Sequence, residues 1–432
     1  MLMRLFVMSN MSQQMLLQEM MDKFGFKKEN LAAYLGVNGK ILNSWFASSL
    51  STEYTPMPNG VFNYISEFIE KNSLSGVYNL PLRNKISFFG KNHLLSVEQF
   101  DRDSIEEVFS IADLMVPIAR RKKISRVLEG AVLGNLFFEA STRTRVSFGT
   151  AFCRLGGSVC DTTGFTFSSM AKGESIYDTS RVIAGYVDIM VVRHPDRGSV
   201  SEFARASNIP IINGGDGPGE HPSQALLDLY TIKNEFSRLN KSLDGAHISL
   251  IGDLKYGRTV HSLIKLLSLY KNLKISLVSP IGLEMPESII NYASRNGNIV
   301  SVESSVKKGL SGADVVYATR VQKERFESEF EFRYESDFHI NSEKINAFCN
   351  KDTIIMHPLP RDSNVGSNDL STDLNNDDRL AIFRQSDNGI PVRMAIFAIL
   401  LGVENIVHRN LRDVEWSRPV YISFADAAFH NL

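Results

Sequence analysis

The chain has little cysteine and little tryptophan for its length, and its charges nearly cancel. Its 432 residues include three cysteines (Cys153, Cys160 and Cys349) and two tryptophans, with 47 Lys and Arg against 48 Asp and Glu. Three cysteines in so long a chain exclude a disulfide-rich scaffold, and without a CxxC pair they form no zinc knuckle. The net charge of −1 gives no overall attraction to nucleic acid or to an anionic membrane.

Long hydrophobic runs are also missing. No stretch reaches the roughly 18 apolar residues that span a bilayer, and the opening segment has too short an apolar stretch for a signal peptide. The apolar fraction of 43% and the charged fraction of 22% are ordinary for a packed globular protein, which excludes wholesale disorder. We therefore expect a globular protein of a reducing compartment, the cytoplasm, with no membrane partner.

Several common catalytic signatures are absent as well. The sequence has no His, Cys, Asp and Glu set at metal-ligand spacing, no GxxxxGK[ST] phosphate loop and no Ser or Cys in a nucleophile elbow. We therefore expect no metal ion and no cofactor. The chemistry should be direct group transfer in a site of fixed positive charge and hydrogen-bond donors.

What the sequence does contain is an alternation of short apolar runs with helical stretches from about residue 90. The runs lie at 132–138, 187–192, 209–212, 247–252, 275–279, 314–319 and 353–356. Strands that alternate with helices indicate a doubly wound parallel α/β fold, and their number suits two such lobes. An Asp103–Glu106 pair resembles a capping box at the start of a helix in the first lobe.

The remaining segments have a different texture. Apolar residues at helical spacings over 12–48 and 61–72 predict a small all-α module, followed by a linker at 72–81. We accordingly divide the chain into a helical extension at 1–80, a first α/β lobe at 81–235, a second at 236–407 and a tail at 408–432.

Polar side chains follow six of the predicted strands. The segments are EASTRTR (139–145), RH (193–194), HPSQ (221–224), DLKYGR (253–258), RVQ (320–322) and HPLPR (357–361). In open parallel sheets, ligands bind outside the carboxyl ends of the strands. We therefore expect these side chains to line one cleft.

The segment Ser141-Thr142-Arg143-Thr144 lies at a predicted strand-to-helix junction. Backbone N–H groups at a helix N-terminus attract anions, and two hydroxyls with a guanidinium add donors. The alternative is ordinary capping by Ser141 or Thr142 beside surface arginines. Arg193 and His221 at neighbouring strand ends favour a phosphate site.

The other candidates also have plain structural explanations. Taken alone, His221 is more often a satisfied loop or core histidine, but its glycine-rich turn before a helix favours a ligand contact. Arg258 and Arg320 could each be solvated cations, yet two arginines facing one cleft suit a substrate with two carboxylates. Lys172 lies in a polar loop, where an exposed lysine is the ordinary explanation.

Together these motifs resemble the aspartate carbamoyltransferase family. The resemblance runs from about Gly90 to Asn405 in family order, through FFEASTRTRVSF, KGE, VVRHPD, GDGPGEHPSQALLDLYTI, GDLKYGRTVHS, ATRVQKERF, HPLPR and DNGI. The ornithine-using relatives typically have Cys where this chain has Pro358, so HPLPR favours aspartate, as do Lys172 and Arg320-Val321-Gln322. The resemblance implies a carbamoyl-phosphate lobe, an aspartate lobe and the synthesis of N-carbamoyl-L-aspartate for pyrimidine biosynthesis.

The resemblance also implies roles for individual residues. Those that hold carbamoyl phosphate would be Ser141, Thr142, Arg143, Thr144, Arg193, His221 and Gln224. Those that hold aspartate would be Ser168, Lys172, Arg258, Arg320, Gln322, Leu359 and Pro360. The catalytic groups would be Arg143, Thr144, Arg193 and His221. Ser168 and Lys172 would come from a neighbouring subunit of a homotrimer, and a separate regulatory subunit would be a further partner.

Three positions depart from the family pattern. Gly149 replaces the usual Glu in the helix after STRTR, so we expect a supporting ion pair to be lost there, and a mid-helix Gly costs about 1 kcal/mol against Ala. Ala171 stands where some members have a second Lys, and the stretch 362–384 is longer than usual and very polar. None of these changes removes a residue assigned to the chemistry.

The extension at 1–80 is not explained by that family. Residues 28–46 resemble a helix-turn-helix of the phage-repressor type, with Asn38, Lys40 and Asn43 as exposed candidates on its second helix. Residues 1–75 contain six basic and six acidic side chains, so the basic footprint that DNA binding requires is missing. A protein-interaction or regulatory module is the favoured interpretation, ahead of DNA binding and of a structural appendage.

Three hypotheses for the whole chain follow. The leading one is the enzyme. The second is a bifunctional regulator whose extension binds DNA, and the third is a catalytically weak paralogue that acts as an assembly partner.

Overall fold

The computed structural model describes residues 13–24, 28, 31–32, 35, 37–47, 51–58, 61–62, 65, 93–164, 173–303, 305–322, 338–362 and 369–416. The chain divides into two compact units, Met1–Ser87 and Phe88–Leu432.

The described residues of the first unit form helices joined by turns and loops. Helix α1 spans Gln13–Phe24 and helix α2 spans Gly39–Phe46. Asn38 caps α2 by accepting a hydrogen bond from the backbone N–H of Ile41 at 2.9 Å. The apolar faces of the unit form one core that includes Leu16, Leu17, Met20, Leu31, Leu42 and Trp45. The predicted all-α module is confirmed, whereas most of the helix at 61–72 and the linker at 72–81 lie outside the described residues.

The described residues of the second unit form three sheets. Its strands are β1 Lys123–Ile124, β2 Val132–Phe137, β3 Ser158–Thr163, β4 Ile189–His194, β5 Ile211–Asp216, β6 His247–Gly252, β7 Lys274–Val278, β8 Ile299–Glu303, β9 Val315–Thr319, β10 Ile354–Met356 and β11 Arg412–Asp413. One sheet has the order β3-β2-β4-β5, another β10-β9-β6-β7-β8, and all pairings within both are parallel. Strands β1 and β11 form a short antiparallel pair.

Helices connect these strands. They are α3 Arg102–Ala119, α4 Thr142–Arg154, α5 Ile176–Ile183, α6 Ser199–Ala206, α7 Pro222–Arg238, α8 Arg258–Leu267, α9 Glu287–Ala293, α10 Val306–Leu310, α11 Ser342–Phe348 and α12 Ile382–Leu400, with 3₁₀ turns at Val97–Gln99, Arg295–Gly297, Thr372–Asn376 and Val407–Asn410. In the described part of the chain, no helix combines the length and the apolar character needed to cross a membrane. The predicted α/β class with two doubly wound parallel lobes is confirmed.

Two strands of the parallel sheets were not predicted, and neither was the short β1–β11 pair. Both β3 and β8 are edge strands, so each pairs on one side only. The sequence of β3, SVCDTT, has a single large apolar residue, and β8 is at most half-buried along its length. Because an edge strand needs less apolar surface than a central one, its sequence does not form a continuous hydrophobic run.

The predicted capping box at Asp103 and Glu106 is wrong by two residues. Helix α3 begins after Asp101, whose carboxylate accepts the backbone N–H of Ser104 at 2.8 Å. The Ser104 hydroxyl accepts the backbone N–H of Asp101 in return, also at 2.8 Å. A serine at the third helical position thus closes the reciprocal pair that Glu or Gln more often closes.

The long helix α12 links the two lobes. Near its start, Ile382 packs into the apolar core of the second lobe. Further along, the Phe397 ring lies edge-to-face against Phe148 and Phe152 of α4, with centroids 5.9 and 4.9 Å apart. The same helix therefore fixes the first lobe's α4 relative to the second lobe's sheet.

The second sheet has a close backbone approach where β6 ends. Gly252 has φ +123°, and a Cβ atom there would lie 2.0 Å from the carbonyl oxygen of Thr319 on β9. Only glycine allows the carboxyl ends of these two strands to lie so close, and Arg258 and Arg320 follow them.

We predict that Gly252→Ala lowers the free energy of unfolding by about 1–3 kcal/mol more than Gly245→Ala does, because the new methyl group displaces backbone. Gly245 is the matched control, since its φ is also positive at +87° and a Cβ atom there meets nothing within 4 Å. Urea denaturation followed by circular dichroism measures both variants. Equal shifts in the two midpoints would contradict the prediction.

Candidate active site

The carboxyl ends of the two parallel sheets open onto one cavity of about 420 Å³. Every sequence-predicted site residue that the structure describes lines it: Ser141, Thr142, Arg143, Thr144, Arg193, His221, Gln224, Arg258, Arg320, Gln322, Leu359 and Pro360. Ser168 and Lys172 lie outside the described residues. The grouping at strand ends that the sequence predicted is therefore present for the described members.

The start of α4 forms one wall. Ser141 is the N-cap residue, but its side chain makes no cap hydrogen bond, so ordinary capping does not account for it. Thr144 is buried, whereas Arg143 keeps access to solvent. The pKa of Arg143 is lowered by partial burial and by the charge of Arg320. Positive charges of the two lobes therefore repel each other across the cavity.

Two buried arginines of the cavity wall share one carboxylate. Glu139 Oε2 lies 3.0 Å from Arg193 Nη2 and 3.3 Å from Arg258 Nη2. Arg193 also donates to the carbonyl oxygen of Gly214 at 3.2 Å, and Arg258 donates to that of Gly217. Residues of the first lobe thus hold a guanidinium that belongs to the second lobe, and they set its position in the cavity.

Gly215 makes room for these guanidinium groups. It has φ +130°, and a Cβ atom there would lie 2.7 Å from Arg193 Nη1 and 3.3 Å from Arg258 Nη2. A larger residue at this position would push both arginines away from the strand ends. The glycine-rich turn before His221 therefore has a direct packing role.

His221 is the N-cap residue of α7 and is almost completely buried. Burial, together with the charges of Arg258, Arg193 and Arg393, holds the pKa of His221 well below its usual range. The ring is therefore neutral near pH 7 and carries a single N–H donor. Its Nδ1 atom is buried and has no hydrogen-bond partner among the described residues.

The second lobe supplies the opposite wall. Gln322 follows β9, and its backbone N–H donates to Asp253 at 3.0 Å while its side-chain amide donates to the carbonyl oxygen of Tyr256 at 2.8 Å. After β10, the buried His357 accepts the backbone N–H of Leu359 at 2.8 Å. The Leu359–Pro360 peptide is cis, and Leu359 has φ +56°.

Sequence reasoning missed several further residues of the cavity wall, among them Ser147, Thr259, Gln385, Ser386 and Arg393. Arg393 is fully buried on α12 and donates to the Ser147 hydroxyl at 2.9 Å, and burial lowers its pKa to about 10. An arginine inside the apolar stretch GIPVRMAIF was the available signal, because a buried cation requires a local reason.

An ion pair between a helix and a strand anchors the start of α4. Arg145 of α4 pairs with Asp161 of β3. Asn135 of β2 donates to Asp161 at 2.8 Å and to the Arg145 carbonyl oxygen at 3.2 Å. A strand carboxylate therefore anchors the first turn of α4, and the loss of an ion pair at Gly149 stays a prediction. A broad surface depression of about 530 Å³ lies over this face and includes none of the predicted site residues.

Two family models match consecutive parts of the chain. The aspartate/ornithine carbamoyltransferase carbamoyl-P binding domain matches residues 92–234. The aspartate/ornithine carbamoyltransferase Asp/Orn binding domain matches residues 244–400.

Curated relatives and solved structures agree with these models. The chain is 56% identical over 329 residues to an aspartate carbamoyltransferase catalytic subunit of Saccharophagus degradans, covering 76% of this chain and 98% of the relative. An archaeal catalytic subunit, from Archaeoglobus fulgidus, is 46% identical, covering 71% of this chain and 98% of the relative.

Among solved structures, aspartate transcarbamoylase from Trypanosoma cruzi in complex with carbamoyl phosphate and aspartate is 38% identical, with a TM-score of 0.66, covering 72% of this chain and 97% of that one. The catalytic subunit from M. jannaschii is 42% identical, with a TM-score of 0.65, covering 72% of this chain and 98% of that one. The chain therefore belongs to the aspartate carbamoyltransferase catalytic-chain family.

Proposed function

We propose that the chain transfers the carbamoyl group of carbamoyl phosphate to the α-amino group of L-aspartate, giving N-carbamoyl-L-aspartate and phosphate, an early step of de novo pyrimidine (UMP) biosynthesis. The observation that carries the proposal is the single cavity on which anion-binding groups of both lobes converge. A family relative has been solved with both of these substrates. The bifunctional and weak-paralogue hypotheses lack an observation of this kind.

Carbamoyl phosphate binds at the start of α4 in this proposal. Ser141, Thr142, Arg143 and Thr144 offer backbone and side-chain donors to the phosphate at a helix N-terminus. Arg193, His221 and Gln224 lie beside them on the cavity wall. The phosphate leaves as an anion that these same donors stabilise.

Aspartate binds against the second lobe. Arg258 and Arg320 offer two guanidinium groups for its two carboxylates, and Gln322 adds an amide. The carbonyl oxygen of Leu359, in the loop with Pro360, is the acceptor for the attacking amine. Pro358 stands where the ornithine-using relatives typically have Cys, which again favours aspartate.

The reaction needs a neutral amine to attack the carbamoyl carbon while negative charge builds on the carbonyl oxygen. Thr144, Arg193 and the neutral His221 donate to that oxygen in our proposal. One well-placed donor of this type contributes about 3–4 kcal/mol to lowering the barrier. Alignment of both substrates contributes about 7–11 kcal/mol in favourable cases, so closure of the two lobes is part of the mechanism.

We predict that the purified chain forms a ureido product from carbamoyl phosphate with aspartate and not with ornithine, since the cavity offers guanidinium groups rather than carboxylates to the acceptor's side chain. A colorimetric assay with both amines side by side measures this. Arg143→Ala should reduce kcat by about 10²–10³-fold, whereas Arg126→Ala, which removes an exposed arginine paired with Glu129, should leave it unchanged. Preference for ornithine would end the substrate proposal, and full activity of Arg143→Ala would favour a catalytically weak assembly partner.

We further propose that the active unit is a homotrimer with shared sites, in which Ser168 and Lys172 of one subunit complete the cavity of its neighbour. The described part of the chain contains the rest of the site but not these two residues. A regulatory subunit is a further proposed partner. The three free thiols support a reducing compartment, and we propose the cytoplasm.

Mixing Arg143→Ala chains with Lys172→Ala chains should restore activity that neither variant has alone. In a cyclic trimer assembled from equal amounts, about one site in four combines an intact Arg143 wall with an intact Lys172 loop. The specific activity of refolded mixtures should therefore reach about a quarter of the wild-type value. Mixtures that stay inactive, although size-exclusion chromatography shows mixed trimers, would refute shared sites.

For the first unit we propose a helical protein-interaction or regulatory module. On α2, Lys40, Ile41 and Asn43 are exposed beside Asn38, so this helix presents a polar face with one apolar residue. The balanced charge of the extension argues against a phosphate-backbone partner.

Gel shifts with the full chain at low salt test the DNA-binding alternative. We predict no shift of a mixed pool of duplex DNA by the wild-type chain. A shift that Lys40→Ala abolishes, and that Lys271→Ala in the second unit leaves intact, would contradict the prediction.

A further inference from the structure

A buried carboxylate lies directly behind the cavity. Asp228 is on α7, one helical turn after Gln224, and its relative exposure is 0%. Its Oδ1 atom accepts hydrogen bonds from the side-chain amides of Gln224 at 2.9 Å and of Gln385 at 2.6 Å. Its Oδ2 atom accepts the Tyr317 hydroxyl at 2.7 Å. Asp228 does not line the cavity, but two of its three donors do.

The three side chains that donate hydrogen bonds to Asp228 connect it to different parts of the site. Gln224 faces the carbamoyl-phosphate wall. Gln385 of α12 accepts the backbone N–H of His357 at 3.0 Å with its own oxygen, and His357 in turn holds the backbone N–H of Leu359. The Asp228 carboxylate is thus connected to the carbamoyl-phosphate wall through Gln224, and to the Leu359 loop through Gln385 and His357.

Tyr317, the third hydrogen-bond donor, connects Asp228 to the aspartate wall through strand β9. Tyr317 lies on β9, three residues before Arg320, and is completely buried. Asp228 belongs to the first lobe, whereas Tyr317, Gln385 and His357 belong to the second lobe and to α12. The Asp228 side chain of the first lobe therefore makes hydrogen bonds to β9, which leads to Arg320, and to α12, which carries Gln385.

The hydrogen bonds to Asp228 depend on whether its carboxyl group is ionised. Burial raises the pKa of Asp228 to about 6, against the lowering effects of its three donors and of the Arg393 charge. The groups that face it are Gln224 on its own helix, Tyr317 from β9, and Gln385 and Arg393 from α12. Below pH 6 the acid form accepts fewer of these bonds, because one oxygen then carries a proton.

We propose that Asp228 is a positioning residue for the transfer reaction, which sets the distance between the carbamoyl-phosphate wall and the aspartate wall by bonding Gln224, Gln385 and Tyr317 at once. This inference rests on the proposed function. A shift of about 1 Å between the two substrates costs up to about 100-fold in rate, and loss of a bond between the lobes allows such a shift.

The test uses the nearly isosteric variant Asp228→Asn. Its amide nitrogen cannot accept a hydrogen bond, so at least one of the three bonds is lost. We expect kcat to fall by about 10–100-fold, with higher KM values for both substrates. The wild-type kcat/KM should fall as the pH decreases through about 6, because Asp228 becomes protonated, and this acid limb should be missing in Asp228→Asn.

A charge swap separates positioning from mere stability. In the double variant Asp228→Asn/Gln385→Glu, the carboxylate introduced on α12 accepts a hydrogen bond from the amide introduced on α7 and still accepts the His357 backbone N–H. The bond between α7 and α12 therefore forms with reversed polarity, and Gln224 keeps its bond when its amide oxygen turns to accept from the same amide. We expect the double variant to be at least about 10-fold more active than Asp228→Asn. Gln385→Glu alone should be impaired, because two buried carboxylates then face each other.

The matched control is Asp113→Asn. Asp113 of α3 accepts the Tyr230 hydroxyl from the same helix α7 at 2.6 Å, away from the cavity. Its variant makes the same carboxylate-to-amide change beside a tyrosine hydroxyl and should keep wild-type kinetics and the acid limb. If Asp228→Asn folds poorly, Tyr317→Phe tests the same proposal, because it removes one hydrogen bond to Asp228 and keeps the carboxylate. We expect this variant to raise the KM for aspartate.

Wild-type kinetics in both Asp228→Asn and Tyr317→Phe would overturn the proposal, as would a double variant no more active than Asp228→Asn. Wild-type activity with aspartate is measured in the same series. If that activity is absent, the proposed function fails, whereas an active wild type with an unaffected Asp228→Asn contradicts the positioning role alone.

Discussion

The structure depends on holding several positive charges close together where the carboxyl ends of its two parallel sheets meet. Five guanidinium groups line one cavity of about 420 Å³: Arg143, Arg193, Arg258, Arg320 and Arg393. Glu139 lies between two of them, and the buried Asp228 acts on a third. Because unit charges a few ångströms apart repel strongly where water is excluded, the site favours a ligand that brings several negative charges. Burial, together with these positive charges, lowers the pKa of His221 and keeps its ring neutral.

The fold supports this arrangement by attaching every cation to a rigid element. The parallel strands end side by side, glycines at the ends of β5 and β6 permit close approach, and α12 fastens the second lobe to α4 of the first. Asp161 and Asn135 anchor the first turn of α4. The site is thus a property of both lobes together, and its precision depends on contacts behind the cavity wall as well as within it.

The sequence predicted most of this because central strands and strand-end motifs leave strong local signals. β6 occupies the residues of its predicted run, HISLIG, without a shift. The missed edge strands β3 and β8 have short or half-buried apolar patterns. Arg393 was missed because its neighbours in the chain are apolar, and Asp161 because its partner Arg145 lies on another element. Contacts between distant segments leave no periodic trace in a sequence, and neither does the subunit that would supply Ser168 and Lys172.

The central claim is that the two walls act as one site for a phosphorylated donor and a dicarboxylic acceptor. Calorimetric titration with N-(phosphonacetyl)-L-aspartate, which has a phosphonate at one end and two carboxylates at the other, tests it most directly. The account predicts one site per chain, at least about 100-fold tighter binding than for inorganic phosphate or succinate alone, and weaker binding after either Arg143→Ala or Arg320→Ala. Binding no tighter than that of phosphate, or unaffected by Arg320→Ala, would contradict it.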